Sequence, residues 1–167
     1  MFHVIPSDFA VLCFLAFLAW AACNDALEFK IPNSATFAIA SLYPIYVLAN
    51  PLPVDWIGAI LVAVATFVPG FVLFSAGGFG GGDVKLLSAV SLWAGPKFIL
   101  PLLVTMGIAG GLLALLVWVG SRLRLGRFVA CGDVSLTNRE YAAPLHLPYG
   151  VAIAAGAGLV GLRLLSG

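Results

Sequence analysis

Charge is what this sequence has least of. Only 9% of its 167 residues are Asp, Glu, Lys or Arg, whereas soluble domains carry about a quarter. Hydrophobic residues make up 62%, and the mean hydropathy is +1.12. A water-soluble globular protein is excluded. Eight cations against seven anions leave a net charge of +1. They form no basic stripe interleaved with aromatics, so no nucleic-acid partner is expected. Cysteine is scarce as well: Cys13, Cys23 and Cys131 stand apart without a CxxC pair, which argues against a disulfide framework and a zinc ribbon. With no second His or Cys at ligand spacing, neither a metal nor another cofactor is expected. Cys13 and Cys23 sit in apolar stretches and read as packing residues.

What the chain has is long apolar runs, and a bilayer crossing takes about 20 such residues. One all-α, membrane-embedded domain over 1–167 is expected, with membrane lipid as its surroundings. The runs predict segments at about 7 to 24, 34 to 50, 54 to 74, 83 to 94, 98 to 120 and 148 to 165, hence about six transmembrane segments. The run ending at Ala21-Ala22-Cys23 faintly resembles a signal, but no Lys or Arg precedes it, and it is read as a retained first segment. The stretch from Ser75 to Asp83 is too glycine-rich for a stable helix and reads as a loop or irregular turn. The fourth segment, closed by Gly95-Pro96-Lys97, is too short to cross alone and reads as a short or partly re-entrant helix lined by protein.

Lys and Arg favour the cytoplasmic side. With both termini outside the cytoplasm, Lys30, Lys85, Arg122, Arg124, Arg127 and Arg139 lie inside, and only Lys97 and Arg163 lie outside. Asp25, ending the first segment, and Asp83, beginning the fourth, then share the cytoplasmic face. Ionisable groups at membrane helices are expensive and are functional candidates by default. Taken singly, Asp25 reads equally well as a solvated helix end and Asp83 as an N-cap. Taken together they suggest a pair of carboxylates, in which one stays ionised and activates water while the other keeps a proton and polarises a carbonyl. The glycines before Asp83 allow another backbone to approach it. Gly78-Phe79-Gly80-Gly81-Gly82-Asp83 fails as a dinucleotide fingerprint, with Asp at the third glycine, and as a P-loop, with no Lys at 83.

Three sets of residues resemble the type IV prepilin peptidases, membrane aspartyl proteases with a GxGD motif. Gly80-Gly81-Gly82-Asp83 with Val84-Lys85-Leu86-Leu87 is similar to that motif and its continuation; Asp25 with Lys30-Ile31-Pro32-Asn33 is similar to the segment bearing the other catalytic aspartate; and Leu147-Pro148-Tyr149-Gly150-Val151-Ala152 is similar to the start of the last helix. The resemblance implies an aspartic endopeptidase of the bacterial inner membrane, with Asp25 and Asp83 catalytic, that cleaves the short basic leader of prepilin or pseudopilin precursors on the cytoplasmic side. Larger members carry an insertion with paired CxxC motifs and N-methylate the new terminus. Only Asn24 to Asn33 separates the first two segments here, so the chain is similar to the small form of Flp/Tad-type pili, with no methyltransferase activity expected.

Gly80 and Gly82 would shape the site, leaving room for an extended substrate backbone. Lys85, about 200° round a helix from Asp83, is a candidate for substrate contact or for the cytoplasmic edge. Lys30 is a second substrate-side candidate, with a solvated loop charge as its alternative. Asp8, Asp55, Asp133 and Glu140 fall in termini or loops, and His146 reads as structural. Small residues at Gly107, Gly110, Gly111, Gly150, Ala154 and Gly158 are expected to pack helices. The competing functional class is a proton-coupled transporter or channel using the two aspartates as a relay. Against it, only one glycine-broken segment and no internal repeat is found.

Overall fold

The computed structural model describes residues 6–122 and 149–166. Arg124, Arg127, Cys131, Asp133, Arg139, Glu140 and His146 lie outside the described residues. The chain is helical: α1 spans Pro6–Glu28, α2 Asn33–Ala49, α3 Trp56–Ser75, α4 Gly81–Arg122 and α5 Tyr149–Ser166. Four of these are long and apolar enough to cross a membrane, and α2 is a shorter apolar helix.

The predicted count of six therefore becomes five helices among the described residues. The fourth and fifth predicted segments belong to one helix, α4, interrupted only at Gly95 (φ 54°, ψ −170°). Gly95-Pro96-Lys97 carries the turn signals of a loop, but a single left-handed residue makes the turn, so no loop residues separate the halves. A straight helix of 42 residues would be about 63 Å long, twice the hydrocarbon thickness. The contacts show instead that α4 turns back. Its start lies against Ile31 and Gly70, and its kink lies against Gly58 at the start of α3. Beyond the kink, Leu102 meets Gly156 and Gly110 meets Ala152, so the second half runs antiparallel to α5.

The two halves have different surroundings. Val84, Leu86, Leu87, Ala89, Val90, Ser91, Trp93 and Ala94 are all buried, whereas most of the second half is exposed, with Leu102 fully buried. The enclosed half is anchored by Trp93. Its ring stacks on Phe14 of α1 with centroids 4.5 Å apart and meets Tyr43 and Tyr46 of α2. Its indole N–H donates to the Ile39 carbonyl at 2.9 Å. Each such aromatic pair adds about 0.5–1.5 kcal/mol beyond area burial.

Helix contacts through small residues occur at three of the expected positions, Gly110, Gly150 and Ala154, and at others besides. Gly107, Gly111 and Gly158 have nothing within 4 Å of a would-be Cβ, while Gly110 meets Ala152. Further tight approaches on α5 are at Gly156, over the Leu102 backbone carbonyl, and at Gly161, over Leu15. Cys13 is partly buried and Cys23 is exposed, so Cys23 is not a packing residue.

Candidate active site

Asp25 is the last member of the stripe that α1 buries. Ser7, Val11, Phe14, Leu18, Ala21 and Asp25 are all buried, at alternating steps of four and three that keep them on one helix face. Its carboxylate is thus carried into protein instead of out to solvent, one turn before α1 ends at Glu28. There it meets the start of α5. The backbone amides of Gly150 and Val151 face it, as the unpaired amides of a helix N-terminus do for an anion. Gly150 makes this approach possible, since a Cβ there would stand 2.7 Å from Asp25 Oδ2 and 2.8 Å from Cγ. Oδ2 itself is buried without a hydrogen-bond partner among the described residues.

Asp83 is the third residue of α4, not its N-cap. It reaches back to the Gly80 amide, the acidic half of a capping box. The first backbone bond of the helix runs from Val84 N–H to the Gly80 carbonyl at 3.1 Å. Asp83 lies within electrostatic reach of the Asp25 carboxylate.

Two contacts join the elements that carry them. Phe79, just before the glycine run, meets Tyr149 at the start of α5 with ring centroids 5.8 Å apart. This ties the Asp83 turn to the helix that faces Asp25. On the other side, Gly82 lies against Ile31 of the α1–α2 link, where a Cβ would be 3.2 Å from the Ile31 Cβ, and Gly81 lies against the Phe74 ring. The room left by these glycines is filled by the protein's own side chains. Phe29, with φ 52°, turns the chain out of α1 toward Ile31, and its amide donates to the Asp25 carbonyl at 3.0 Å.

Lys85 is placed elsewhere. It is exposed, and its ammonium donates to Asn33 Oδ1 at 3.2 Å, on the far side of the first turn of α4. Lys30 is exposed in the α1–α2 link. The role of Gly150 beside Asp25 was not singled out by sequence reasoning. The residue entered only through the resemblance of its segment and as a helix-packing glycine.

The fold and the site define a polytopic helical membrane protein in which Asp25 and Asp83, from separate helices, meet at one end of the bundle. Residues 12–115 match the type IV leader peptidase family, and the chain belongs to that family. Membership makes it a membrane peptidase of the aspartic kind, acting on a peptide substrate. The matched region contains both Asp25 and Asp83, while α5 lies beyond it. No curated protein and no solved structure matches the chain.

Proposed function

We infer that Asp25 and Asp83 are the catalytic dyad of an endopeptidase that removes the basic leader of prepilin or pseudopilin precursors at the cytoplasmic face. The observation that carries this is the convergence of two carboxylates from separate helices, within electrostatic reach, at one end of the bundle of a leader peptidase. Two carboxylates brought together around a substrate do not both ionise easily, and in this reading they hold one proton between them. The ionised member takes a proton from water as its oxygen attacks the scissile carbonyl carbon, and the protonated member donates to the carbonyl oxygen. When the tetrahedral intermediate collapses, the C–N bond breaks and a dyad proton passes to the leaving amine. The free acceptor at Asp25 Oδ2 suits a water-activating group. Gly80 and Gly82 shape this site by holding Asp83 and Ile31 in place. Lys30 and Lys85 stand at the substrate side.

Orientation follows the cations. Lys30, Lys85 and the end of α4 at Arg122 occupy the dyad end, and Lys97 and Arg163 the other. The positive-inside preference puts the dyad in the cytoplasm of a bacterial inner-membrane protein, with α1 starting and α5 ending on the opposite side. Only residues 29–32 link α1 to α2, so no insertion with paired CxxC motifs sits there. This supports the small Flp/Tad-type form without N-methyltransferase activity. The ion-relay alternative gains no support from the family match.

The test is cleavage of a co-expressed prepilin, read as a gel mobility shift. Asp25→Asn and Asp83→Asn should each lower the rate by about 10²–10⁴-fold at an unchanged level of protein in the membrane. Full cleavage by either variant removes that residue from the mechanism. If the wild type leaves every basic-leader precursor of its own organism uncut, the substrate assignment fails.

A further inference from the structure

The far end of the bundle, opposite Asp25 and Asp83, holds a cavity of about 110 Å³. Tyr43 and Tyr46 of α2, Asp55 at the start of α3, and Trp93, Gly95 and Lys97 around the kink of α4 form much of its wall. We propose that this cavity binds the phosphoethanolamine headgroup of a phospholipid, with Asp55 holding the ammonium and Lys97 the phosphate. The site lies away from the dyad and stands whether or not the chain cleaves prepilins.

Two charges of opposite sign line this cavity without meeting. Among the described residues Asp55 and Lys97 form no ion pair. Asp55 Oδ1 accepts from the Gly58 amide at 2.9 Å, and the Lys97 ammonium lies over the Phe98 ring, 5.1 Å from its centroid. The carboxylate keeps further acceptor sites and the ammonium keeps its N–H donors. Opposite charges held apart on one cavity suit a ligand that itself carries both, through charge-assisted hydrogen bonds that strengthen away from bulk water.

The aromatic residues decide which charge goes where. Tyr43, Tyr46 and Trp93 are buried and make the floor, while Asp55 and Lys97 are exposed and stand at the mouth. Ring faces attract cations, and the charge of Asp55 reaches Tyr43, so the floor and this carboxylate together favour an ammonium. The Tyr43 hydroxyl has no hydrogen-bond partner among the described residues and is free to accept from it. The Trp93 N–H is already taken by the Ile39 carbonyl, which leaves Lys97 to meet the anion.

Size and position select the ligand further. A water in the liquid takes about 30 Å³, so the space corresponds to about three or four waters. An ethanolamine ammonium fits it and a sugar headgroup does not. A choline would replace the N–H donors with methyl groups and satisfy Asp55 less well. The cavity opens where the helices end, at the level at which Trp and Tyr gather in membrane proteins. From Asp55, α3 continues with the exposed apolar Trp56, Ile57, Ile60 and Leu61, a surface along which acyl chains can run.

The test is native mass spectrometry of the detergent-solubilised full chain with dioctanoyl phospholipids. Phosphatidylethanolamine should be retained about tenfold more tightly than phosphatidylcholine, which has no ammonium N–H, and than phosphatidylglycerol, which has no ammonium. Asp55→Asn should bring phosphatidylethanolamine down to the level of phosphatidylglycerol; Asn caps a helix about as well as Asp, so the start of α3 is preserved. Lys97→Met should lower retention of all these lipids, Lys97→Arg should keep it, and replacing the exposed Arg163 at the same end, outside the cavity, by Met should change nothing. Equal retention of the lipids by the wild type, unchanged retention in Asp55→Asn and Lys97→Met, or a loss in Arg163→Met as large as in Lys97→Met means lipid merely coating the bundle and overturns the site. Glycerophosphoethanolamine, the same headgroup without acyl chains, should compete poorly. Displacement of the lipid by it at equal concentration overturns the phospholipid as the source of the group.

Discussion

Gly150 controls how closely the start of α5 approaches Asp25. A methyl group there would lie 2.7 Å from Oδ2, so the carboxylate would have to move by about an ångström, and misplacements of that size cost about 10²-fold in rate. Gly150→Ala should therefore lower kcat about 10²-fold with KM little changed. Gly158→Ala, with nothing within 4 Å, should be neutral. Steady-state kinetics on reconstituted protein decide it, and an unimpaired Gly150→Ala enzyme would remove the α5 contact from the account. A shared proton also predicts a bell-shaped rate–pH profile whose limbs belong to the pair, activity falling at low pH when both carboxyls are protonated and at high pH when both are ionised. A profile with a single limb would refute the sharing. Asp83 was legible in the sequence because glycines precede it in a recognisable motif, and Asp25 through a looser one. The contact of Gly150 with Asp25 left no trace, because nothing in a glycine's neighbours says which side chain will fill its missing Cβ.

Among the elements, α4 depends on Gly95 for its reversal. A Cβ at this position would have only Ala59 near it, at 3.8 Å, so space is not the obstacle. Its φ of 54° and ψ of −170° fall in a region that is essentially glycine's alone, costing other residues about 1–3 kcal/mol. Gly95→Ala should thus destabilise the protein by about that amount in reversible SDS unfolding, and an unchanged midpoint would show that the break relaxes easily. This turn was misread as a loop because Gly-Pro-Lys has the composition of one. The helix ends were misread for a related reason: polar residues at Asn24 and Asp25 look like the end of a segment, but α1 continues to Glu28. The stripe from Ser7 to Asp25 was invisible too. In soluble helices the buried face stands out by hydrophobicity, whereas here the lipid-facing side of α1, with Phe9, Leu12 and Trp20 exposed, is as apolar as the face it buries.

Viewed as a whole, the bundle has a dyad end and a far end, and the orientation can be read directly. In a background with Cys13, Cys23 and Cys131 replaced, Lys97→Cys should react with a membrane-impermeant maleimide in intact cells, and Lys30→Cys only after permeabilisation. The reverse pattern would put the dyad outside. The apolar runs located the helices, because length and hydropathy suffice for that, though not that the fourth and fifth runs form one. They also marked the fourth segment, too short to cross alone, as lined by protein, in agreement with the enclosed first half of α4, but they could not say that it continues without a loop into the outward-facing half.

The link from Asn50 to Asp55 joins α2 to α3 at the far end and is largely exposed. It separates a hairpin of α1 and α2, carrying Asp25, from the remainder, carrying Asp83, and the two parts are held together across their interface by Trp93 among Phe14, Tyr43 and Tyr46. The enzyme is therefore divisible. Each part alone holds one of the two aspartates, and cutting the backbone at this link leaves untouched the surfaces by which the two parts recognise each other.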